Sequence, residues 1–256
     1  MQQPLKSTLA RVFKMSAVVC FDIRNFSTHV AHLSSHNRGE SRKIVNVLKS
    51  IFTSLDKAIH DSNTRLGLKG KTYVNHTGDG FIAIFHGKGK CLQGLIVALG
   101  VAVEVKDIFD KYNKNAEKDE IIKSLSPLDY GIGLHIGPVR RFDYQPLYSA
   151  DGKMLGVGLV GHAINLSSRI QETTKDHTFR IICTKRVYEE AITAIKAKHK
   201  EKVKKYFVEL GRHNLRGMRV PIGLYGVKIS GYNEIGPRMI IESHKRKKSL
   251  TNKVRL

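Results

Sequence analysis

The sequence predicts an α+β fold, a largely antiparallel sheet with helices packed against it. Short apolar runs of strand length alternate with longer stretches whose apolar residues recur at helical spacing. Neighbouring runs are joined by glycine-containing turns tight enough for hairpins, Thr77-Gly78-Asp79-Gly80 and "SADGKM" among them. At 256 residues the chain can bury one good core with a small appendage.

Taken in order, a strand over about 17–23 leads into a helix from Ser27, whose hydroxyl suits an N-cap. A second helix covers about 40–60, with Ile44, Val47, Leu48, Ile51, Phe52 and Leu55 on one face. Strands over 72–76 and 81–85 flank the glycine turn as a hairpin, and a long helix follows to about 112. The next strand, "YGIGLHIG" at 130–137, is expected to stop at Gly137-Pro138. A helix over 162–173, a strand at 179–183, a helix over about 185–197 and two late strands, "YFVEL" and "GLYGVKI", complete the pattern. Residues 1–15 are expected to form a basic amphipathic segment, 16–230 one folded domain, and 231–256 a flexible basic tail.

Lys and Arg number 44 against 22 Asp and Glu, a net charge of +22. Such a balance suits nucleic acid, an anionic surface or a polyanionic small molecule. Much of the excess lies in "KAKHKEKVKK" and "HKRKKSLTNKVRL", which read as solvated charge runs. No RNA-recognition signature, zinc-finger spacing or aromatic-interleaved basic stretch accompanies it, so nucleic-acid binding rests on charge alone and is not favoured. The stretch 92–105 comes nearest to a membrane span but is too short, and Gln93, Gly94, Gly100 and Glu104 interrupt it. There is no secretory signal pattern, and Cys20, Cys91 and Cys183 have neither pairing nor metal spacing. A cytoplasmic protein with reduced core cysteines is expected.

Two single acids stand out, each at the tip of a strand-like run. Asp22 closes "VVCFD" and precedes a turn into a helix N-terminus, where free backbone N–H groups favour an anion. Asp79 sits in a hairpin turn whose glycines allow close approach. Either alone reads as turn chemistry. Together they suit Mg²⁺ or Mn²⁺, hard cations that take carboxylate ligands and keep substrate phosphates in their shell. Further on, Asn165 and Arg169 lie at i and i+4 on one helix face, an amide and a guanidinium suited to an anionic transition state.

In this order, "VVCFDIRNFS", "HTGDGFIAIF", "GIGLHIGPV", "GHAINLSSRIQ" and "LRGMRVPIGLYGV" resemble the motifs of the class III nucleotidyl cyclases, the adenylate and guanylate cyclase catalytic domain, over about residues 16 to 229. The resemblance implies a ferredoxin-like α/β core that works as a head-to-tail homodimer with composite sites. It implies that Asp22, Asp79 and the Ile23 carbonyl hold two divalent ions, Mn²⁺ or Mg²⁺. Backbone around Arg24, Asn25, Phe26 and Ser27 would cradle the triphosphate. Asn165 and Arg169 of the other subunit would position the ribose and stabilise the α-phosphate. The implied reaction is attack of the ribose 3′-hydroxyl on the α-phosphate with release of pyrophosphate.

The chain departs from that pattern where the base is read. Asn75 and Gly158 occupy positions that are usually Lys with Asp or Thr for adenine, or Glu with Cys for guanine. Asn75 carries donor and acceptor on one amide, which suits a pyrimidine edge, while Leu48 and Phe52 are expected to narrow the pocket. Met218 stands where the family has a late triphosphate-binding Lys, leaving Arg216 or Arg219 for that role. The absent purine code makes the chain most similar to the uridylate and cytidylate cyclases of bacterial Pycsar anti-phage systems. Those make cyclic UMP or cyclic CMP to activate a separate effector, and UTP is placed ahead of CTP here. Two alternatives stay open: an adenylate or guanylate cyclase with an atypical base pocket, and an inactive nucleotide- or nucleic-acid-binding module.

Overall fold

The structure is a computed structural model that describes residues 14–36, 38–68, 72–87, 89–116, 123, 125–144 and 156–232. Its elements are β1 (Lys14–Arg24), α1 (Phe26–His36), α2 (Arg38–Leu66), β2 (Thr72–His76), β3 (Phe81–His86), α3 (Lys90–Ala116), β4 (Asp129–Tyr144) and β5 (Gly156–Val160). After them come α4 (His162–Thr173), β6 (Ile181–Thr184), α5 (Lys185–Ala194), α6 (Ala197–Lys204), β7 (Phe207–His213) and β8 (Ile222–Val227). Short 3₁₀ turns follow α4 at Thr174–Asp176 and β8 at Ile229–Gly231.

The strands lie in the order β2-β3-β1-β4-β6-β8-β7, with β5 paired to β4 off this path. Every pairing is antiparallel except β4 with β6, which the α4 crossover makes parallel. The expected α+β architecture is thus the observed one.

Burial explains why β1 reads as a continuous apolar run. It is a central strand with helices on both faces, and Ser16 through Phe21 are all buried. Ala17, Val19 and Phe21 join the large core with α2 and α3, whereas Val18 points the other way, towards Ala163 of α4. On that second face the glycines of β4 let α4 approach closely. A Cβ on Gly133 would stand 2.1 Å from the Ser167 carbonyl oxygen. The Ser167 hydroxyl in turn donates to the Val18 carbonyl at 3.1 Å, tying α4 to β1.

Several expectations shift. α1 begins at Phe26, so Ser27 lies inside it and is not its N-cap; Asn25, with φ 64°, turns the chain earlier. α2 runs two turns further than the expected 40–60. β4 does not stop at Pro138. That proline sits opposite Met15 at the outer end of the β1 ladder, beyond which β4 exchanges its partner β1 for β5. The single helix expected over 185–197 is two, α5 and α6. The basic run "KAKHKEKVKK" therefore carries α6, anchored by the buried Val203. "SADGKM", most of the N-terminal segment and residues 233–256 lie outside the described residues, although Lys14 and Met15 belong to β1 and Tyr232 touches Gly100 of α3.

Candidate active site

The end of β1 is held from three sides. Asp22 pairs with Gly131 on β4, Ile23 with Tyr130 and Arg24 with Asp129. Arg24 Nη1 donates to Asp129 Oδ2 at 2.7 Å, while Arg180 Nε lies 2.6 Å from Asp129 Oδ1. One acid thus joins two guanidinium groups. Arg24 Nη2 also donates to Thr174 Oγ1 at 2.6 Å. These bonds turn the Arg24 side chain into the scaffold, so only its backbone remains to meet a ligand.

Asn25 takes the left-handed conformation that its short polar side chain tolerates, and its Nδ2 donates to the Pro127 carbonyl at 2.9 Å. Its own carbonyl accepts the first helical bond, from His29 N–H at 3.1 Å. The His29 ring is pinned between Tyr112 Oη and the Ser126 carbonyl, at 3.1 and 2.8 Å. The start of α1 is thereby fixed, and its first-turn N–H groups lack helical acceptors.

Asp79 is brought to this place by its hairpin. Thr77 N–H donates to the Gly80 carbonyl at 2.9 Å, and Gly78 adopts φ 88°. Gly80 lies against the backbone of Phe21 and Asp22, where a Cβ would be 2.3 Å from the Phe21 carbonyl oxygen. Asp22, Ile23, Asp79 and residues 24–28 line one cavity of about 1110 Å³, together with Lys106, Asp110, Asp129, Lys175 and Arg180. The cavity thus gathers the acids and the α1 start that the sequence singled out. It also contains cations and acids that sequence reasoning missed, because Lys175, Asp129 and Arg180 sit in unremarkable polar turns and strand ends.

The Asp22 carboxyl is held above the ordinary aspartate range, first by burial and next by the charge of Asp79; Lys175 works in the opposite sense. A carboxylate whose proton is held by the negative charge of a neighbouring carboxylate is also suited to a divalent cation. Among the described residues no group of three or more His, Cys, Asp and Glu gathers into a metal site. Asp22 and Asp79, with the Ile23 carbonyl, fit an ion that keeps room for ligand oxygens.

Asn165 and Arg169 are not among the residues that line this cavity. Asn165 is exposed and lines a second cavity of about 630 Å³ with Pro138, Leu159, Val160, His162 and Ile164. Arg169 Nη1 donates to both carboxylate oxygens of Glu172, at 2.7 and 2.9 Å. Arg216 and Arg219 are exposed on the loop between β7 and β8, and Met218 of that loop lies 3.2 Å from His162 Nε2. One chain therefore carries two separate groups of candidate residues.

The base-reading candidates do not converge either. Asn75 is exposed on β2, opposite Ile82. Phe52 packs against His76, with ring centroids 4.3 Å apart, and Leu48 joins the same core. Neighbouring residues of a strand face opposite sides, so Phe52 meets the face of β2 away from Asn75 and does not narrow a pocket around it. Gly158 pairs with Phe142, whose ring would be 2.1 Å from an added Cβ; its missing side chain makes room for that ring.

Residues 10–220 match the family described as the adenylate and guanylate cyclase catalytic domain. No curated protein matches the chain in sequence. Among solved structures, the adenylyl cyclase CyaB from P. aeruginosa superposes with a TM-score of 0.57 at 16% identity, covering 84% of this chain and 94% of that one. The guanylyl cyclase Cya2 gives 0.57 at 18% identity, with 86% and 94% covered. The guanylate cyclase domain of RhGC from Catenaria anguillulae, in complex with GTP, gives 0.52 at 18% identity, with 86% and 98% covered. At these identities the structures speak for the fold, and the family match spans most of the chain. With its paired acids at the tip of β1 and the β2–β3 turn, the chain belongs to the adenylate and guanylate cyclase catalytic domain family.

Proposed function

We propose that this nucleotidyl cyclase domain converts a pyrimidine nucleoside triphosphate, UTP ahead of CTP, into its 3′,5′-cyclic nucleotide and pyrophosphate. The observation that carries the cyclase chemistry is the shared cavity of Asp22, Asp79 and the start of α1. Asp22 and Asp79 hold the divalent ions, with Ile23 supplying its carbonyl. Bound Mn²⁺ or Mg²⁺ supplies charge neutralisation at the phosphates and polarisation of the attacking oxygen. Backbone N–H groups at 25–28 cradle phosphate oxygens, as helix starts do. The ribose 3′-hydroxyl gives up its proton to solvent as its oxygen bonds to the α-phosphorus, the bond from that phosphorus to the bridging oxygen breaks, and pyrophosphate leaves.

The residues that steer this step come from a second copy. Asn165 lines a cavity other than that of the acids and Arg169 is held by Glu172, and a head-to-tail homodimer would bring these side chains to the acids of the other copy, with two equivalent sites. Arg169 then exchanges Glu172 for the α-phosphate, and Arg216 or Arg219 of the second copy grips the triphosphate. Arginine suits both roles through its planar, permanently charged fork.

The pyrimidine reading rests on Asn75 and Gly158, where no purine-reading pair is present. Asn75 is exposed on β2, its amide available to a base edge. By the same resemblance the cyclic pyrimidine product activates a separate effector in anti-phage defence. Incubating the pure protein with each of the four nucleoside triphosphates and Mn²⁺ tests the reading. Cyclic UMP or cyclic CMP as main product supports it; dominant cyclic AMP or cyclic GMP makes the chain a purine cyclase with an atypical pocket. Salt-dependent oligonucleotide binding with no turnover of any nucleotide makes it a binding module.

A further inference from the structure

Among the described residues the acid-bearing cavity is lined by four cations, and three of them are already engaged. Arg24 and Arg180 share Asp129, at 2.7 and 2.6 Å, and Lys106 pairs with Asp110. The fourth is Lys175, which has no hydrogen bond or ion pair with any acid among the described residues. It is exposed and lines the same cavity as Asp22 and Asp79.

The turn that carries it is anchored. Lys175 is the middle residue of the 3₁₀ turn Thr174–Asp176 that closes α4. Thr174 is fully buried; its hydroxyl accepts from Arg24 Nη2 and donates to the Gln171 carbonyl, each at 2.6 Å. The turn also lies against β4 beside Asp22. Gly131, the cross-strand partner of Asp22, has Thr174 Oγ1 2.1 Å from where a Cβ would stand. A side chain at 131 would push the turn away from the acids. Asp176 and Glu172 are the acids nearest in sequence, and Glu172 is taken by Arg169.

We infer that Lys175 is a phosphate-binding residue, which reaches from the same chain as Asp22 and Asp79 to the pyrophosphate end of the bound triphosphate. The role differs from that of Arg216 and Arg219, which belong to the loop whose Met218 meets His162 at the other end of α4. An ammonium group next to a metal-holding carboxylate pair suits an anion bridging the two, and phosphate oxygens bind such point charges. This assignment rests on the cyclase reading for the identity of the anion, though not for its binding.

The test uses the full chain and inorganic pyrophosphate with Mn²⁺, followed by calorimetry. Lys175→Ala is expected to weaken pyrophosphate binding by about 10- to 100-fold, the usual loss for a charged hydrogen bond, with the melting temperature unchanged. Lys175→Arg is expected to keep most of the affinity. In turnover assays Lys175→Ala lowers kcat/KM and raises the pyrophosphate inhibition constant by similar factors. Binding within about twofold of wild type in Lys175→Ala, or no pyrophosphate binding by the wild type, overturns the assignment. So does a loss of turnover with pyrophosphate inhibition unmoved, because Lys175 then acts through Asp22 alone. If the wild type turns over no nucleotide but binds pyrophosphate through Lys175, the cyclase reading fails and this assignment stands.

Discussion

Gly80 rests on the carbonyl of Phe21, with only 2.3 Å between that oxygen and the place where a Cβ would be. The contact seats the β2–β3 turn on the backbone immediately before Asp22 and so sets the distance between the two acids. Gly80→Ala is expected to cost about 1–3 kcal/mol of stability, since backbone must move to admit the methyl group. Turnover should fall more steeply than stability, because Asp79 shifts with the turn. Thermal melts and steady-state rates on the same preparation check both.

Asp22→Ala and Asp79→Ala are each expected to abolish turnover while the fold survives, as each removes a metal ligand and little packing. Circular dichroism and a product assay decide it. Full activity in either variant refutes the two-acid site, and chelation of divalent ions should mimic both variants in the wild type.

The raised affinity of Asp22 for a proton has a sign that can be checked. An acid whose pKa rises on folding stabilises the folded state while protonated; that contribution is present below its ordinary value and lost as pH climbs through the raised one. Without divalent ions, Asp22→Asn should therefore melt higher than wild type at neutral pH and match it in acid. Added Mn²⁺ should raise the wild-type melting temperature and leave the variant unmoved.

Composite sites predict complementation. An equal mixture of Asp22→Ala and Arg169→Ala chains, each inactive alone, should regain about a quarter of wild-type activity after subunit exchange, since half the dimers are mixed and each has one intact site. No recovery under exchange conditions argues for sites complete within one chain.

His135 gives a second pH dependence, distant from the acids. Burial, helped by His162 and Arg186, pushes its imidazole down to about 4, and its Nδ1 lies 3.0 Å from Thr184 Oγ1. Because the unfolded chain protonates first, near the ordinary 6.5, the stability from neutral His135 is present above that value and lost as pH falls from about 6.5 towards 4. His135→Gln should flatten melting temperature against pH across that window.

Asp22 and Asp79 were legible in the sequence because local order alone announces them, a strand tip before a helix start and an acid inside a glycine turn. The α4 helix was legible by its periodicity, to its exact ends. The extent of β4 was not, since whether a strand survives a proline depends on which partner it has at that point. The contact of Phe52 with His76 was not legible either, since it depends on how α2 packs against β2.

Periodicity, turns and motif order are local properties of the chain, and they suffice for the α+β class and for the two acids and the helix start that share one cavity. Tertiary structure decided which of those residues meet. It placed Asn165 in a cavity other than that of the acids, gave Asp129 to two arginines, and left Lys175 with no ion pair among the described residues in the cavity of Asp22. Such pairings arise where strands and turns distant in sequence are packed side by side, and no short stretch of chain encodes them.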